Sequence, residues 1–104
     1  MDDTTWDTVE RLADWLDANS RLPGDTEKLL RLMKLSEEVG EVTAAVIGVL
    51  GQNPRKGVTH TWQDVNDELC DVILTAMVAL TTLTPDPRRV FAERVGHVVD
   101  RALS

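Results

Sequence analysis

Apolar residues recur every three or four positions along most of this chain, the spacing that places them on one side of an α-helix. Segments with this spacing cover approximately residues 5–18, 25–50, 62–83 and 87–102. Proline and glycine separate them, as in Leu22-Pro23-Gly24 and again between residues 84 and 87. No segment shows the alternation that a strand requires. The pattern therefore predicts an all-α fold, a four-helix bundle that forms a single domain over residues 1–104.

Residues that commonly begin helices lie at the start of three segments. Asp25 or Thr26 is the expected N-cap of the second. Thr61, followed by Asp64 three positions later, resembles a capping box at the start of the third. Asp86 lies directly before a proline, an arrangement that opens a helix with proline in its first turn. These signals predict where the second, third and fourth helices begin.

The third segment becomes apolar almost all round after Val72. A helix of that kind is buried on every side, yet a chain of 104 residues has only a small core. We therefore expect a dimer or larger assembly, although a monomeric bundle that encloses the helix would satisfy the same pattern. On the first segment, Trp6 and Trp15 project to nearly opposite sides. Both cannot lie in one core, so one of them meets either a partner subunit or a base.

Composition and charge restrict the functional classes. The chain is 42% hydrophobic and 28% charged, the balance of a globular protein. Its net charge of -7 argues against a protein that coats a nucleic acid polymer, although metal ions can supply the positive charge that a single nucleotide needs. No apolar run is long enough to cross a membrane, and no signal-peptide pattern follows Met1. We expect a cytoplasmic protein whose lone cysteine, Cys70, is a small core residue.

Two acidic clusters interrupt helices that otherwise have the pattern of core elements. Residues 37–41 read E-E-x-x-E and residues 68–71 read E-x-x-D. At about 100° per residue, the acids of each cluster share a face beside the apolar stripe, where a carboxylate is costly unless its charge is compensated. If the two helices pack antiparallel, the clusters oppose each other. The alternative for each cluster alone is a solvated helix face.

Oxygen ligands alone, in this number, favour Mg²⁺, with Mn²⁺ as the other candidate. A ferritin-like iron site needs Glu-x-x-His on two helices, and neither His60 nor His97 lies in that context. The clusters therefore predict a divalent metal site and metal-dependent chemistry on a phosphate.

The motifs themselves resemble a known family. Residues 34–41 (KLSEEVGE) and 67–72 (DELCDV) are similar to the MazG-type all-α nucleoside triphosphate pyrophosphohydrolases, whose relatives include dimeric dUTPases and phosphoribosyl-ATP pyrophosphatases. The resemblance covers roughly residues 29–83, and the flanking helices match in type. It implies a MazG-like four-helix fold that assembles as a homodimer or homotetramer. It also implies Mg²⁺-dependent cleavage of an NTP or dNTP between the α and β phosphates, which gives NMP and pyrophosphate.

Carried over by position, the resemblance also implies roles for individual residues. The implied metal ligands are Glu38, Glu41, Glu68 and Asp71. Glu37 is implied as a further ligand or as the catalytic group that orients the attacking water. The chain departs from the family pattern at Cys70, where many relatives carry glycine, and near Thr75, where they carry a larger residue. A non-catalytic nucleotide-binding or helical protein-interaction module therefore remains the alternative function.

Basic residues near the acids, in the loop or on the last helix supply candidate substrate contacts: Lys34, Arg55, Lys56 and Arg94. Lys34 lies one turn before the acids, where it either contacts a phosphate or forms a salt bridge to Glu37 or Glu38. Arg55 and Lys56 either reach a phosphate tail across a subunit interface or lie in a solvated loop. Small residues continue the acidic face of the second helix at Ala44, Ala45 and Gly48. They either leave room for a base or sugar or allow close helix packing.

Overall fold

The computed structural model describes residues 2–103 and is all-α. Over this range the chain forms four helices and no strand: α1 (Asp3–Asn19), α2 (Gly24–Leu50), α3 (Trp62–Leu83) and α4 (Pro87–Ala102). Each helix that the sequence predicts is present, with ends that differ by at most two residues. The prediction of a helical bundle is therefore confirmed.

Capping side chains begin α3 and α4, as their sequences predict. Thr61 and Asp64 form the predicted capping box, in which Thr61 N–H donates to Asp64 Oδ2 at 2.8 Å. Asp86 caps α4 by accepting from a backbone N–H three residues later. The prediction for α2 is wrong, because Pro23 is its N-cap and no side chain caps it. Its extended conformation leads the chain into the helix one residue before Asp25, whose carboxylate then lies in the first turn, where the helix dipole favours it.

Helices α2 and α3 pack against each other as an antiparallel pair. Near the start of α2, Arg31 Nη1 donates a 2.9 Å hydrogen bond to Thr82 Oγ1 near the end of α3. Near the end of α2, the Gly48 carbonyl accepts a 2.9 Å hydrogen bond from Thr59 N–H, just before α3. The chain reverses after Gly51, whose φ of 61° is the left-handed conformation that ends a helix and suits glycine. This pairing places the two acidic motifs opposite each other.

The apolar core lies where α1 crosses α3. Trp6, Val9 and Met77 are buried together, with Val78 packed against them. Phe91 of α4 meets Trp6 edge to face, with 6.2 Å between the ring centroids. Trp6 is thus the core tryptophan of α1, whereas Trp15 on the opposite side is 62% exposed.

The prediction that α3 is buried on every side is wrong for a single chain. Four of its apolar side chains are 37–53% exposed: Leu69, Ile73, Leu74 and Leu83. Helices α1 and α2 cover only part of α3, and α4 bends away from it by 117°. Cys70 is exposed as well, so its expected place in the core is also wrong.

The apolar stripe of α4 is left largely open by the same bend. Four of its side chains are 39–46% exposed: Phe91, Val95, Val98 and Val99. Among residues 2–103, no single helix is long and apolar enough to cross a membrane, although α3 and α4 pass that test as a bent pair.

Candidate metal centre

Three carboxylates from the two acidic motifs converge on the antiparallel α2–α3 pair. Glu38 lies on α2, and Glu68 and Asp71 lie one turn apart on α3. One oxygen from each lies within 4.8 Å of the others. Glu38 and Glu68 are half-buried, whereas Asp71 is exposed. These three residues, called the carboxylate trio below, form a cluster that opens to solvent on one side.

The carboxylates of this cluster repel one another. The pKa of Glu68 is raised above its ordinary value, chiefly because burial removes water from its charged form. The nearby charges of Asp71, Glu41, Glu38 and Asp67 raise it further. A proton or a bound cation would relieve both effects.

Lys34 supplies part of the missing positive charge. Its Nζ lies 3.1 Å from Glu37 Oε1 and 3.5 Å from Glu38 Oε1. Its pKa is raised, mainly by the hydrogen bond to Glu37. Within residues 2–103, Lys34 is the one basic side chain that pairs with the trio. Because Lys34 is shared with Glu37, the three carboxylates keep an excess of negative charge that a divalent cation would offset.

The other two acids of the first motif lie beside the trio. Glu41 is exposed and is not a member, although its charge contributes to the raised pKa of Glu68. Glu37 is 63% exposed and hydrogen-bonds Lys34. Of the four residues implied as metal ligands, the structure thus brings three together and places Glu41 next to them. The all-oxygen donor set fits Mg²⁺ or Mn²⁺.

The remaining candidate substrate contacts lie apart from this cluster. Arg55 and Lys56 are exposed in the loop between α2 and α3, and Arg94 is exposed on α4. None of the three forms an ion pair with another residue in the range 2–103.

Two of the three small residues of α2 serve close packing, whereas Ala44 is exposed. Ala45 and Gly48 are buried. A Cβ built on Gly48 would lie 2.0 Å from His60 Nδ1 and 2.6 Å from Thr59 Oγ1. Close approach of the returning loop therefore requires glycine here, and this position leaves no room for a base or sugar.

A second charged network lies further towards the start of α2, and sequence reasoning did not find it. Arg31 is only 7% exposed. Its Nε donates to Glu27 Oε1 at 3.2 Å and its Nη1 donates to Thr82 Oγ1 at 2.9 Å. Its Nη2 lies 2.9 Å from Asp17 Oδ1 as an ion pair outside hydrogen-bond geometry. The spacing of Glu27 and Arg31, one turn apart, was the available signal.

Sequence reasoning also missed an apolar groove between α1 and the α2–α3 pair. Its volume is about 440 Å³, and Lys34 and Thr75 lie in its wall. The groove depends on how α1 crosses the pair, and helical periodicity alone does not specify that crossing.

Comparison with known proteins finds no family model, no curated protein and no solved structure that matches this chain.

Proposed function

We propose that this chain is a Mg²⁺-dependent nucleoside triphosphate pyrophosphohydrolase of the MazG-like type, which converts an NTP or dNTP to NMP and pyrophosphate. The observation that carries the proposal is the convergence of Glu38, Glu68 and Asp71 within 4.8 Å. These residues come from the two motifs on which the family resemblance rests. Lys34 beside them adds a cation suited to a phosphate.

The carboxylate trio would hold the ion, with Glu41 beside it as a further ligand. When bound, Mg²⁺ neutralises phosphate oxygens and lowers the pKa of a water ligand. Phosphoryl-type transfer then depends mostly on positioning and on stabilisation of charge.

Lys34 and Glu37 have linked roles in this proposal. They are hydrogen-bonded at 3.1 Å, and both side chains are largely exposed. A nucleotide phosphate competes with Glu37 and Glu38 for the ammonium group of Lys34. Once Lys34 turns to the phosphate, Glu37 is free to orient the attacking water and to accept its proton.

Assembly as a homodimer or homotetramer belongs to the same proposal, as does a cytoplasmic location. The exposed apolar side chains of α3 and α4 support an assembly, because large exposed apolar patches mark interaction surfaces.

Incubation with Mg²⁺ and a panel of NTPs and dNTPs tests the proposal. We expect NMP and pyrophosphate from at least one nucleotide, and no activity in EDTA. Release of neither product from any nucleotide with Mg²⁺ or Mn²⁺ would contradict the enzymatic claim. Calorimetric binding of a nucleotide without turnover would instead identify the non-catalytic module.

A further inference from the structure

Helix α2 carries a second apolar face, on the side that points away from α3. Arg31 and Gly48 contact α3 and the residue just before it. At about 100° per residue, the second face lies on roughly the opposite side of the helix. Six of its apolar side chains are 37–68% exposed: Leu29, Leu32, Met33, Val39, Ile47 and Leu50. Together with the exposed residues Ser36, Gly40 and Thr43, they are called the outer stripe below.

The outer stripe has the pattern of a helix–helix seam. From Leu29 to Leu50, its members recur at alternating steps of four and three positions. This spacing continues for about three heptads, which is long enough to indicate a coiled-coil seam. No member of the stripe is charged, although the chain has a net charge of -7. A stripe about 32 Å long that excludes charge fits another uncharged helix face.

The stripe is symmetric about a point between Val39 and Gly40. Residues at equal distances on either side of that point match in size and polarity: Leu29 with Leu50, Leu32 with Ile47, and Ser36 with Thr43. In an antiparallel pair of identical helices related by a two-fold axis, each residue faces the mirrored position of its partner. This self-complementarity favours a second copy of the chain over a foreign helix.

Gly40, at the centre of the stripe, is not required by packing within residues 2–103. A Cβ built there would meet no atom of another segment within 4 Å, whereas a Cβ built on Gly48 would collide with His60 and Thr59. Glycine in the middle of a helix costs stability, and close approach of another backbone is a reason to keep it. Ser36 and Thr43 are small as well, so two copies of α2 can come closest at this point.

We propose that the outer stripe is a self-interface, in which α2 packs antiparallel against α2 of a second copy about a two-fold axis between Val39 and Gly40. The inference rests on the assembly part of the proposed function and is independent of the enzymatic part. The exposed apolar faces of α3 and α4 are separate from the stripe, so the chain has two surfaces for copies of itself. Two such self-complementary interfaces on one chain build a homotetramer with D2 symmetry.

Sedimentation of the full chain, without nucleotide, tests the interface through Val39→Glu. The substitution places one carboxylate from each copy beside the axis, and like charges in contact disfavour association. We expect the dissociation constant of this interface to rise by about 100-fold or more, and the assembly mass to fall by half. Val58→Glu is the matched control, because Val58 is 71% exposed in the loop between α2 and α3. The assembly mass of this control should equal that of the wild type.

Disulfide crosslinking in a Cys70→Ser background tests the antiparallel arrangement, and it stands even if Val39→Glu fails to fold. The two copies of position 29 lie about 32 Å apart in the proposed pair, so neither Leu29→Cys nor Leu50→Cys should crosslink alone under oxidation. Co-expression of the two variants should give a crosslinked dimer, because positions 29 and 50 meet across the axis. Crosslinking of each variant alone would indicate a parallel pair and would overturn the inference.

Two sedimentation results would also overturn it. These are a wild type that is monomeric at every concentration, and an assembly whose mass is the same in the wild type and in folded Val39→Glu. In the second case the assembly depends on α3 and α4 alone. Nucleotide hydrolysis is measured separately, so its absence would end the enzymatic claim and leave the interface standing. Loss of the interface claim would likewise leave the enzymatic claim untouched.

Discussion

Two charged clusters lie along the same antiparallel pair of helices, and they differ in how their charge is balanced. Around Arg31, Glu27 and Asp17 surround one buried cation, and Thr82 satisfies a further donor. In the carboxylate trio, three acids face one another, and Lys34 pairs with one of them, Glu38. Acids of the chain itself balance the charge of the first cluster, whereas the charge of the second is not balanced.

The contrast separates a structural role from a functional one. A buried charge with its own partners fixes the packing of α1 against the α2–α3 pair, and it needs nothing from outside. Acids that are half-buried and held close together without such partners oppose folding, because burial and then the neighbouring charges disfavour the charged form, as the raised pKa of Glu68 indicates. A bound cation removes that cost, so the uncompensated cluster is the one expected to bind a ligand.

The largest expected effect is on catalysis. Glu38→Gln and Glu68→Gln each remove a carboxylate from the trio and should lower kcat/KM by about 1,000-fold or more, since a bound metal contributes several kcal/mol to transition-state stabilisation. Steady-state kinetics measure the loss, and circular dichroism should show unchanged helix content. Glu93→Gln, an exposed acid on α4, is the control. Full activity in either trio variant would show that the site is misassigned.

Removal of the balanced cation should affect stability instead. Arg31→Met removes the cation shared by Glu27 and Asp17, and we expect a loss of about 2–3 kcal/mol in the free energy of unfolding. This value is below that of a fully buried pair because Asp17 is 68% exposed. Urea denaturation provides the measurement. Arg89→Met breaks an exposed pair with Asp86 and should cost less than about 1 kcal/mol; equal losses would contradict the structural role of Arg31.

Mg²⁺ should stabilise the folded chain only by binding to the carboxylate trio. At a Mg²⁺ concentration ten times Kd, binding to the native state should add about 1.4 kcal/mol, visible as a higher Tm in calorimetry. In EDTA, Glu68→Gln should be more stable than the wild type, because it removes a repelled charge. A Mg²⁺-induced rise in Tm of similar size in Glu68→Gln would place the ion elsewhere.

The pH dependence of stability follows from the raised pKa of Glu68. In EDTA the native state holds the Glu68 proton to higher pH than the unfolded chain does. Glu68 therefore favours folding below the ordinary carboxyl pKa, and this contribution is lost as pH rises through the raised pKa. The stability difference between wild type and Glu68→Gln should widen over that window. Mg²⁺ affinity should show the opposite trend and fall as the pH is lowered; parallel pH profiles for the two proteins would contradict this assignment.

The smallest effect concerns Lys34. Lys34 is 48% exposed and its nearer partner Glu37 is 63% exposed, so Lys34→Met should change the free energy of unfolding by less than about 1 kcal/mol. Removal of the competing cation should tighten Mg²⁺ binding in the absence of nucleotide, whereas loss of a phosphate contact should raise KM. Calorimetry on the Lys34→Met variant measures Mg²⁺ binding, and steady-state kinetics on the same variant measure KM. A KM equal to that of the wild type would restrict Lys34 to a salt bridge.

Local signals in the sequence predicted the local structure well. The capping box at Thr61 and Asp64 and the Asp86 cap both form, because each depends on residues within one turn. The α2 cap was missed because the backbone of Pro23, rather than a side chain, leads into the helix. The facing of the acidic motifs followed from helical geometry once antiparallel pairing was assumed.

Features that depend on how the helices cross could not be predicted from the sequence pattern. Periodicity indicates that α3 has apolar residues on all sides, but it does not specify that α4 bends away from α3 by 117°. Likewise, Arg31 is buried because α1 brings Asp17 to it, a contact with no local signature. The groove beside Trp15 arises from the same crossing.

Titration of Mn²⁺, followed by loss of the free-ion paramagnetic resonance signal, tests the central claim that the carboxylate trio binds a divalent cation. The wild type and Glu93→Gln should bind Mn²⁺ saturably, Mg²⁺ should displace it, and Glu68→Gln should lose that binding. Equal Mn²⁺ binding by the wild type and Glu68→Gln, or no saturable binding by the wild type, would contradict the account.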